Sequence, residues 1–231
     1  MIAIVIPAYN EEKNIEWIVN ESKKYGKVIV VDDSSKDQTS ELAKKAGALV
    51  IKHEKNGGLG TSLRSGFEKA LEMRADIIVT IDADGQHDPE EIPKLIDAVY
   101  YGYDFVLGER DLSKYPFKKK FGNFFLNWMT NFVSCTNLSD TESGFRAFRG
   151  EALKKLMLKA KRYEIAVEII FEVGRNKLRA TNVPIKSPIY IKGKGVSVLD
   201  GIKNFRYLLS RRKRNFKSYF DDMYYVLRNK I

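Results

Sequence analysis

The feature that most constrains this chain is an alternation of short, near-continuous apolar runs with stretches of helical periodicity. Residues 2–6, 28–31, 48–51, 77–81 and 105–107 read as strands. Between them, residues 11–25, 38–46, 61–73 and 89–101 carry the 3.6-residue spacing of helices, with Ile15, Ile18 and Val19 on one face. Asp37 supplies a capping signal for the second helix, and Asp88 followed by Pro89 supplies one for the fourth. A strand loses its polar–apolar alternation when both its faces are covered. The pattern therefore predicts an α/β fold, a mostly parallel sheet with helices on both faces. In such sheets ligands bind outside the carboxyl ends of the strands. Residues 7–12, 32–35 and 82–88 follow three of those ends and should converge on one cleft.

After Gly108 the pattern changes. Lys118, Lys119 and Lys120 precede an aromatic segment at 121–132, and a polar turn at 139–143 leads into Gly144-Phe145-Arg146. Helices are expected at 151–159 and 165–175, an extended stretch at 181–188, and a glycine–lysine loop at 192–195. With no internal repeat or low-complexity linker, residues 1–200 are expected to form one catalytic domain and 201–231 a basic helical tail.

Composition narrows the class. A chain of 231 residues with 44% hydrophobic residues can bury a sizeable core. The single cysteine, Cys135, excludes an internally disulfide-stapled scaffold. The opening apolar run is short and has no basic segment before it, so it reads as a first strand rather than a signal peptide. No stretch reaches the ~20 apolar residues of a spanning helix. The expectation is a cytoplasmic protein, soluble or peripheral on the cytoplasmic face of a membrane. The net charge is +10, and residues 192–231 hold eleven Lys or Arg against three Asp, eight of the ten net charges. The basicity, and any acidic partner it implies, belongs to the tail.

Asp82-Ala83-Asp84-Gly85-Gln86 stands at the end of the apolar strand 77–81 and carries the sharpest chemistry. Two carboxylates and an amide are oxygen donors suited to a hard divalent cation, Mg²⁺ or Mn²⁺, which would neutralise a diphosphate leaving group. The plainer alternative is an acidic turn capping the next helix, which Asp88 alone would satisfy. His87 reads as a neighbour of the site rather than a ligand. Asp32-Asp33-Ser34-Ser35 could accept hydrogen bonds from a base or ribose, or could simply be a turn. In Pro7-Ala8-Tyr9-Asn10-Glu11-Glu12, Tyr9 could pack on a nucleobase and Glu11 could accept from it, or the segment could be an acidic helix start. Asn56-Gly57-Gly58-Leu59-Gly60 has neither the Walker nor the G-x-G-x-x-G spacing and reads as a tight turn.

Pro7 to Glu11, Val31-Asp32-Asp33-Ser34-Ser35 and Asp82 to Pro89 together resemble the family-two glycosyltransferases of GT-A fold. Gly108-Glu109-Arg110, Asp140 to Arg146, Tyr163-Glu164, Val183-Pro184-Ile185 and the 192–197 loop narrow the resemblance to the dolichol-phosphate mannose synthase group and its polyprenyl-phosphate relatives. It runs from about residue 2 to residue 200.

The resemblance implies the nucleotide-diphospho-sugar transferase fold and roles for particular residues. Pro7, Tyr9, Glu11, Val31 and Asp33 would hold the nucleoside, and Asp82 and Ala83 would contact the nucleotide. Asp84 and Gln86 would bind the metal with the donor diphosphate. Arg110, Lys192 and Lys194 would face donor or acceptor phosphates, with Lys119 at a further basic position. Asp140, Ser143 and Gly144 would shape the sugar and acceptor end. The family's arginine loop is here Lys192-Gly193-Lys194-Gly195-Val196-Ser197-Val198, which keeps charge but loses the bidentate fork, and the lysine after the serine is missing.

The implied activity is inverting transfer of a hexose from GDP-mannose or a UDP-sugar to a polyprenyl or dolichyl phosphate. An acceptor phosphate is already largely ionised at neutral pH and needs no strong base. A glycan hydroxyl acceptor would need one, and Asp140 or Glu142 would be the candidates. Arg211-Arg212-Lys213-Arg214 lies between Phe205, Tyr207, Leu208, Leu209 and Phe216, Tyr219, Phe220. That composition suits an anionic membrane surface, with or without a separate anchoring subunit, or a helix packed on the catalytic domain. No nucleic-acid-binding module accompanies it. A nucleotide-sugar-binding or polyanion-binding protein without turnover is the remaining alternative.

Overall fold

A computed structural model of the chain describes residues 1–111, 117–186 and 207. Seven strands form one sheet in the order β3-β2-β1-β4-β6-β5-β7. They are β1 (Ile2–Ala8), β2 (Lys27–Asp32), β3 (Leu49–Lys52), β4 (Ile77–Thr80), β5 (Phe105–Arg110), β6 (Arg146–Arg149) and β7 (Ala180–Ile185). All neighbouring pairs are parallel except those made by β6, which runs against both β4 and β5. The expected mostly parallel α/β architecture is present.

The helices are α1 (Ile15–Ser22), α2 (Thr39–Lys45), α3 (Leu59–Glu72), α4 (Ile92–Tyr100), α5 (Phe117–Ser134), α6 (Gly150–Leu153) and α7 (Ile165–Arg175). Alternate residues of β1 show how they sandwich the sheet. Ile4 and Ile6 join a core with Ile15, Ile18, Ala43, Leu95 and Val99, from α1, α2 and α4. Ala3 and Val5 join a second core with Leu63, Phe67, Ile165, Ile169 and Val173, from α3 and α7. Strands buried on both sides have no polar face to alternate with, which is why their sequences are continuous apolar runs.

Several elements differ from expectation, each for a local reason. The helix expected at 11–25 begins only at Ile15, because residues 10–14 are tied into the neighbouring turn: Glu11 N–H donates to Thr39 Oγ1 at 2.9 Å. The helix expected at 89–101 opens as a 3-10 turn (Pro89–Glu91) capped by Asp88, which accepts from Glu90 N–H at 3.0 Å. The α-helix proper begins at Ile92, and Pro93 sits in its first turn, where its missing N–H costs nothing. The helix expected at 151–159 stops at Leu153. Its continuation is captured by two buried carboxylates of α7: Glu172 accepts from Met157 N–H at 3.0 Å, and Glu168 accepts from Lys159 and Ala160 N–H at 2.8 Å each. Tyr207 O–H also donates to Glu168, at 2.5 Å. Pro184 in β7 sits on an edge strand, where its lack of a donor is tolerated. The expected domain boundary at 200/201, the tail apart from Tyr207, and the loop carrying Lys192 and Lys194 lie outside the described residues.

Candidate active site

The parallel strands β1, β2, β4 and β5 end on one edge of the sheet, and antiparallel β6 begins there. Residues separated by more than a hundred positions therefore meet along that edge.

At the β1 and β2 ends, two turns interlock. Asn10, in the left-handed region at φ 55°, donates its N–H to Ser35 Oγ at 2.9 Å, and its side chain accepts from Lys36 N–H at 2.9 Å. Asp32 is wholly buried and serves the turn itself, accepting from Ser35 N–H at 2.9 Å and from the Ser40 hydroxyl. Asp33 reaches the glycine segment instead. Its carboxylate accepts from Gly57 N–H at 2.9 Å and Gly58 N–H at 2.7 Å, and pairs with His53 Nδ1 at 2.8 Å. His53 Nε2 lies 3.0 Å from Ser65 Oγ on α3. Burial opposes ionisation of Asp33, but these hydrogen bonds outweigh it and hold the carboxyl below the usual range. The glycine segment is thus the tight turn expected, and Asp33 fixes it. Val31 is fully buried on the α3 side, Pro7 is half-buried in register with it, and Tyr9 is 44% exposed at the strand end.

The Asp82–Gln86 turn follows β4. Asp84 accepts from Gln86 N–H at 3.1 Å and from the Gln86 side-chain amide, so the two expected metal-binding side chains are in contact. Asn14 Nδ2 donates to Glu11 Oε2 at 3.1 Å and to the Asp84 carbonyl at 3.4 Å, joining the β1 end to this turn. Ala83 is buried and Asp82 is partly exposed. His87 is buried with its Nε2 3.7 Å from Asp82 and its ring tilted against Phe145. Burial, with a smaller contribution from Arg110, lowers its pKa against the pull of Asp82, Asp84 and Asp140. A neutral ring behind Asp82 is the result.

The third group lies at the end of β5 and the start of β6. Arg110 Nε and Nη2 each donate to one oxygen of Asp140 at 2.6 Å, and Arg110 N–H donates to it at 3.2 Å. Asp140 is buried in the left-handed region at φ 52°. Both of its oxygens serve to aim the guanidinium. Ser143 is fully buried, its N–H donating to the Asp140 carbonyl at 2.9 Å. Gly144 is fixed by its carbonyl, which accepts from Thr80 Oγ1 at 2.7 Å. A Cβ on Gly144 would lie 2.5 Å from Asp82 Oδ1 and closer still to Oδ2. The absent side chain is what gives Asp82 its room. Lys119 lies in the first turn of α5.

Sequence reasoning missed Asn14, His53, Asn127 and Arg146. Asn127 Oδ1 on α5 accepts from Thr141 N–H and Oγ1, both at 2.7 Å, and so holds the turn that carries Asp140. Arg146 is buried beneath the cluster. Burial lowers its pKa, while Asp82, Glu142 and Asp140 support its charge. No local pattern marks Asn14 or Asn127, because each acts on a residue distant in sequence.

Among the described residues, no three His, Cys, Asp or Glu side chains gather closely enough to hold a metal ion by themselves. The adjacent Asp84 carboxylate and Gln86 amide nevertheless form an all-oxygen donor pair, which fits a hard cation that takes its other ligands from phosphate and water.

A sheet of this topology, with an acidic turn after β4 and an arginine–carboxylate fork at the end of β5, suits a glycosyltransferase. Residues 3–157 match Glycosyl transferase family 2, and the chain belongs to that family. It is 38% identical, over 90% of its own length and 95% of the relative's, to the UDP-N-acetylglucosamine–dolichyl-phosphate N-acetylglucosaminyltransferase of Methanococcus voltae. It is 30% identical to the polyprenol monophosphomannose synthase of Mycolicibacterium smegmatis, over 79% of this chain and 75% of that one. The fold is shared with glucosyl-3-phosphoglycerate synthase from Mycobacterium tuberculosis, solved with Mn²⁺, UDP-glucose and phosphoglyceric acid. That match has a TM-score of 0.70 at 20% identity and covers 91% of this chain and 77% of that one.

Proposed function

We propose that this enzyme transfers a sugar from a nucleotide-diphosphate donor to a polyprenyl phosphate, with inversion at the anomeric carbon. The observation that carries the reading is the placement of two unlike groups on one sheet edge, at the ends of β4 and β5, which flank β6. The Asp82–Gln86 turn offers oxygen donors, and Arg110 offers a guanidinium locked by Asp140. The acidic side suits a cation-bridged diphosphate and the basic side suits phosphate.

An oxygen of the acceptor phosphate attacks the anomeric carbon. The bond from that carbon to the donor diphosphate breaks, and its electron pair leaves with the nucleoside diphosphate. Asp84 and Gln86 would hold a divalent ion, Mg²⁺ or Mn²⁺, that offsets the charge gathering on the leaving group. Arg110 holds a phosphate in line, and its rigid pairing with Asp140 keeps that geometry between turnovers. Gly144 leaves Asp82 space beside the sugar. A phosphate nucleophile also suits Asp140, whose oxygens both accept from Arg110, whereas a hydroxyl acceptor would need a carboxylate base.

The named activities of the relatives support a lipid-phosphate acceptor. They also make UDP-N-acetylglucosamine and GDP-mannose the first donors to try. With such an acceptor, the proposed place of work is peripheral, on the cytoplasmic face of a membrane. The basic segment from 201 onward, and a membrane-anchoring subunit if one exists, would assist its seating there.

The test incubates the protein with Mn²⁺ or Mg²⁺, a short-chain polyprenyl phosphate and labelled GDP- or UDP-sugars. Metal-dependent label in the organic phase is expected, lost at least about 100-fold in Asp84→Ala. Donor hydrolysis without lipid product would move the acceptor to a glycan. No turnover with folded protein would favour a binding protein.

A further inference from the structure

α5 is amphipathic in the wrong sense for a helix on a water-soluble domain. Its inward side is largely polar. Asn127 accepts from Thr141, and Asn131 donates to the Leu138 carbonyl at 2.7 Å and accepts from Leu138 N–H at 3.0 Å. Ser134 donates to the Thr130 carbonyl at 2.6 Å, and both side chains are buried. Among the described residues of that side, Val133 alone joins an apolar cluster, with Val167 and Phe171 of α7. The outward side is aromatic. Phe124 is 68% exposed, Phe125 49% and Trp128 56%. At 100° per residue these three fall within an arc of roughly 100°. Phe125 stacks on Trp128 with ring centroids 6.2 Å apart, and Trp128 stacks on Phe132 at 5.9 Å.

We infer that α5 seats the protein on an anionic lipid bilayer through Phe124, Phe125 and Trp128. Exposed aromatics in such a ladder are costly in water and favourable at a headgroup interface, where Trp in particular partitions. Charge selects a bilayer over a second copy of the chain. Residues 117–134 contain Lys118, Lys119 and Lys120 and no acid, in a protein of net charge +10. A segment of that charge repels its own copy and attracts an anionic headgroup layer. The seat is tied to the site by the bonds already described: the helix that presents the aromatics outward holds, through Asn127, the turn carrying Asp140. Lipid contact on one face and phosphate geometry on the other thus share one rigid element. This inference rests on the lipid-phosphate reading for its purpose, but its test does not.

The chain has two tryptophans, so the full-length Trp17→Phe variant reports Trp128 alone. On mixed phosphatidylcholine–phosphatidylserine vesicles its emission should shift to the blue and be quenched by brominated acyl chains, far less so on phosphatidylcholine alone. Phe124→Ser combined with Phe125→Ser should weaken vesicle binding at least about tenfold. It should leave transfer to a short-chain, water-soluble polyprenyl phosphate unchanged in vesicle-free buffer. Vesicle binding with unshifted Trp128 emission would overturn the inference and move the lipid contact elsewhere, such as the basic segment beyond residue 192. A blue shift that grows with protein concentration without vesicles would also overturn it, in favour of self-association. Absence of transfer to the soluble acceptor in the parent protein would count against the lipid-phosphate reading, while the vesicle result stands or falls separately.

Discussion

Strands β1, β2 and β4 each bring a site segment to the cleft by simply ending there, and each segment bonds mainly to its immediate neighbours. The side built from β5, β6 and α5 works differently. Arg110 is aimed by Asp140, Asp140 is carried on a turn held by Asn127, and Gly144 is placed against Asp82 by a hydroxyl of β4. One side is a set of strand ends tied directly to one another, and the other is a chain of dependencies crossing three elements. The first type tolerates change locally, while the second transmits it.

The sharpest way to break this contrast is Gly144→Val. The new side chain would intrude on the Asp82 carboxylate, and transfer should fall about 100-fold or more with little loss of thermal stability. Unchanged kcat/KM would mean that Asp82 is not part of the reaction. Arg110→Lys keeps the charge but cannot satisfy both Asp140 oxygens, so kcat/KM should drop about tenfold. Isothermal titration should meanwhile show metal–nucleotide affinity little changed. Asn127→Ala leaves Thr141 N–H and Oγ1 without their acceptor. It should cost roughly 1–3 kcal/mol of stability and raise the acceptor KM several-fold, measured by urea unfolding and steady-state kinetics. An effect on donor KM instead would merge the two sides.

The smallest effect on rate belongs to Asp33→Asn, which should show itself in acid. A carboxyl held below its ordinary 3.8 in the folded state stabilises the fold above that value and stops doing so as pH falls through the depressed folded value. Urea midpoints followed from neutral pH downward should therefore fall less steeply in Asp33→Asn than in the parent, from a lower starting stability. Parallel curves would mean that the Gly57 and Gly58 bonds do not depend on ionised Asp33.

The same contrast governs what could be read in advance. β1 to β5 were legible because burial on both faces writes itself into continuous apolar runs, and the acidic turns were legible because they follow those runs directly. β6 was not anticipated: Arg146-Ala147-Phe148-Arg149 lacks an apolar run, and its strand character comes from pairing with both β4 and β5. The helix expected at 151–159 failed because Glu168 and Glu172, later in the chain, bind its backbone donors. Propensity is local, and these competitors are not. Asp33 was readable as a polar strand end, but its partners His53, Gly57 and Gly58 come from another loop. The convergence of Arg110, Asp140 and Gly144 likewise depends on β6 reversing direction, which nothing in the spacing reveals.

That reversal has an architectural consequence. Leu107 of β5 and Arg146 of β6 are paired neighbours, so the excursion from β5 through α5 and back departs and returns at almost one point. A closed detour of this kind can be lengthened at little entropic cost, since closure grows only logarithmically with length. It can also be exchanged without moving β1 to β4 so long as Gly144, bonded to Thr80 and set against Asp82, is kept. The segment from 111 to 145 is therefore a natural unit for transplantation. Grafted between relatives of this family, it should carry acceptor preference from one scaffold to another and leave donor recognition with the host.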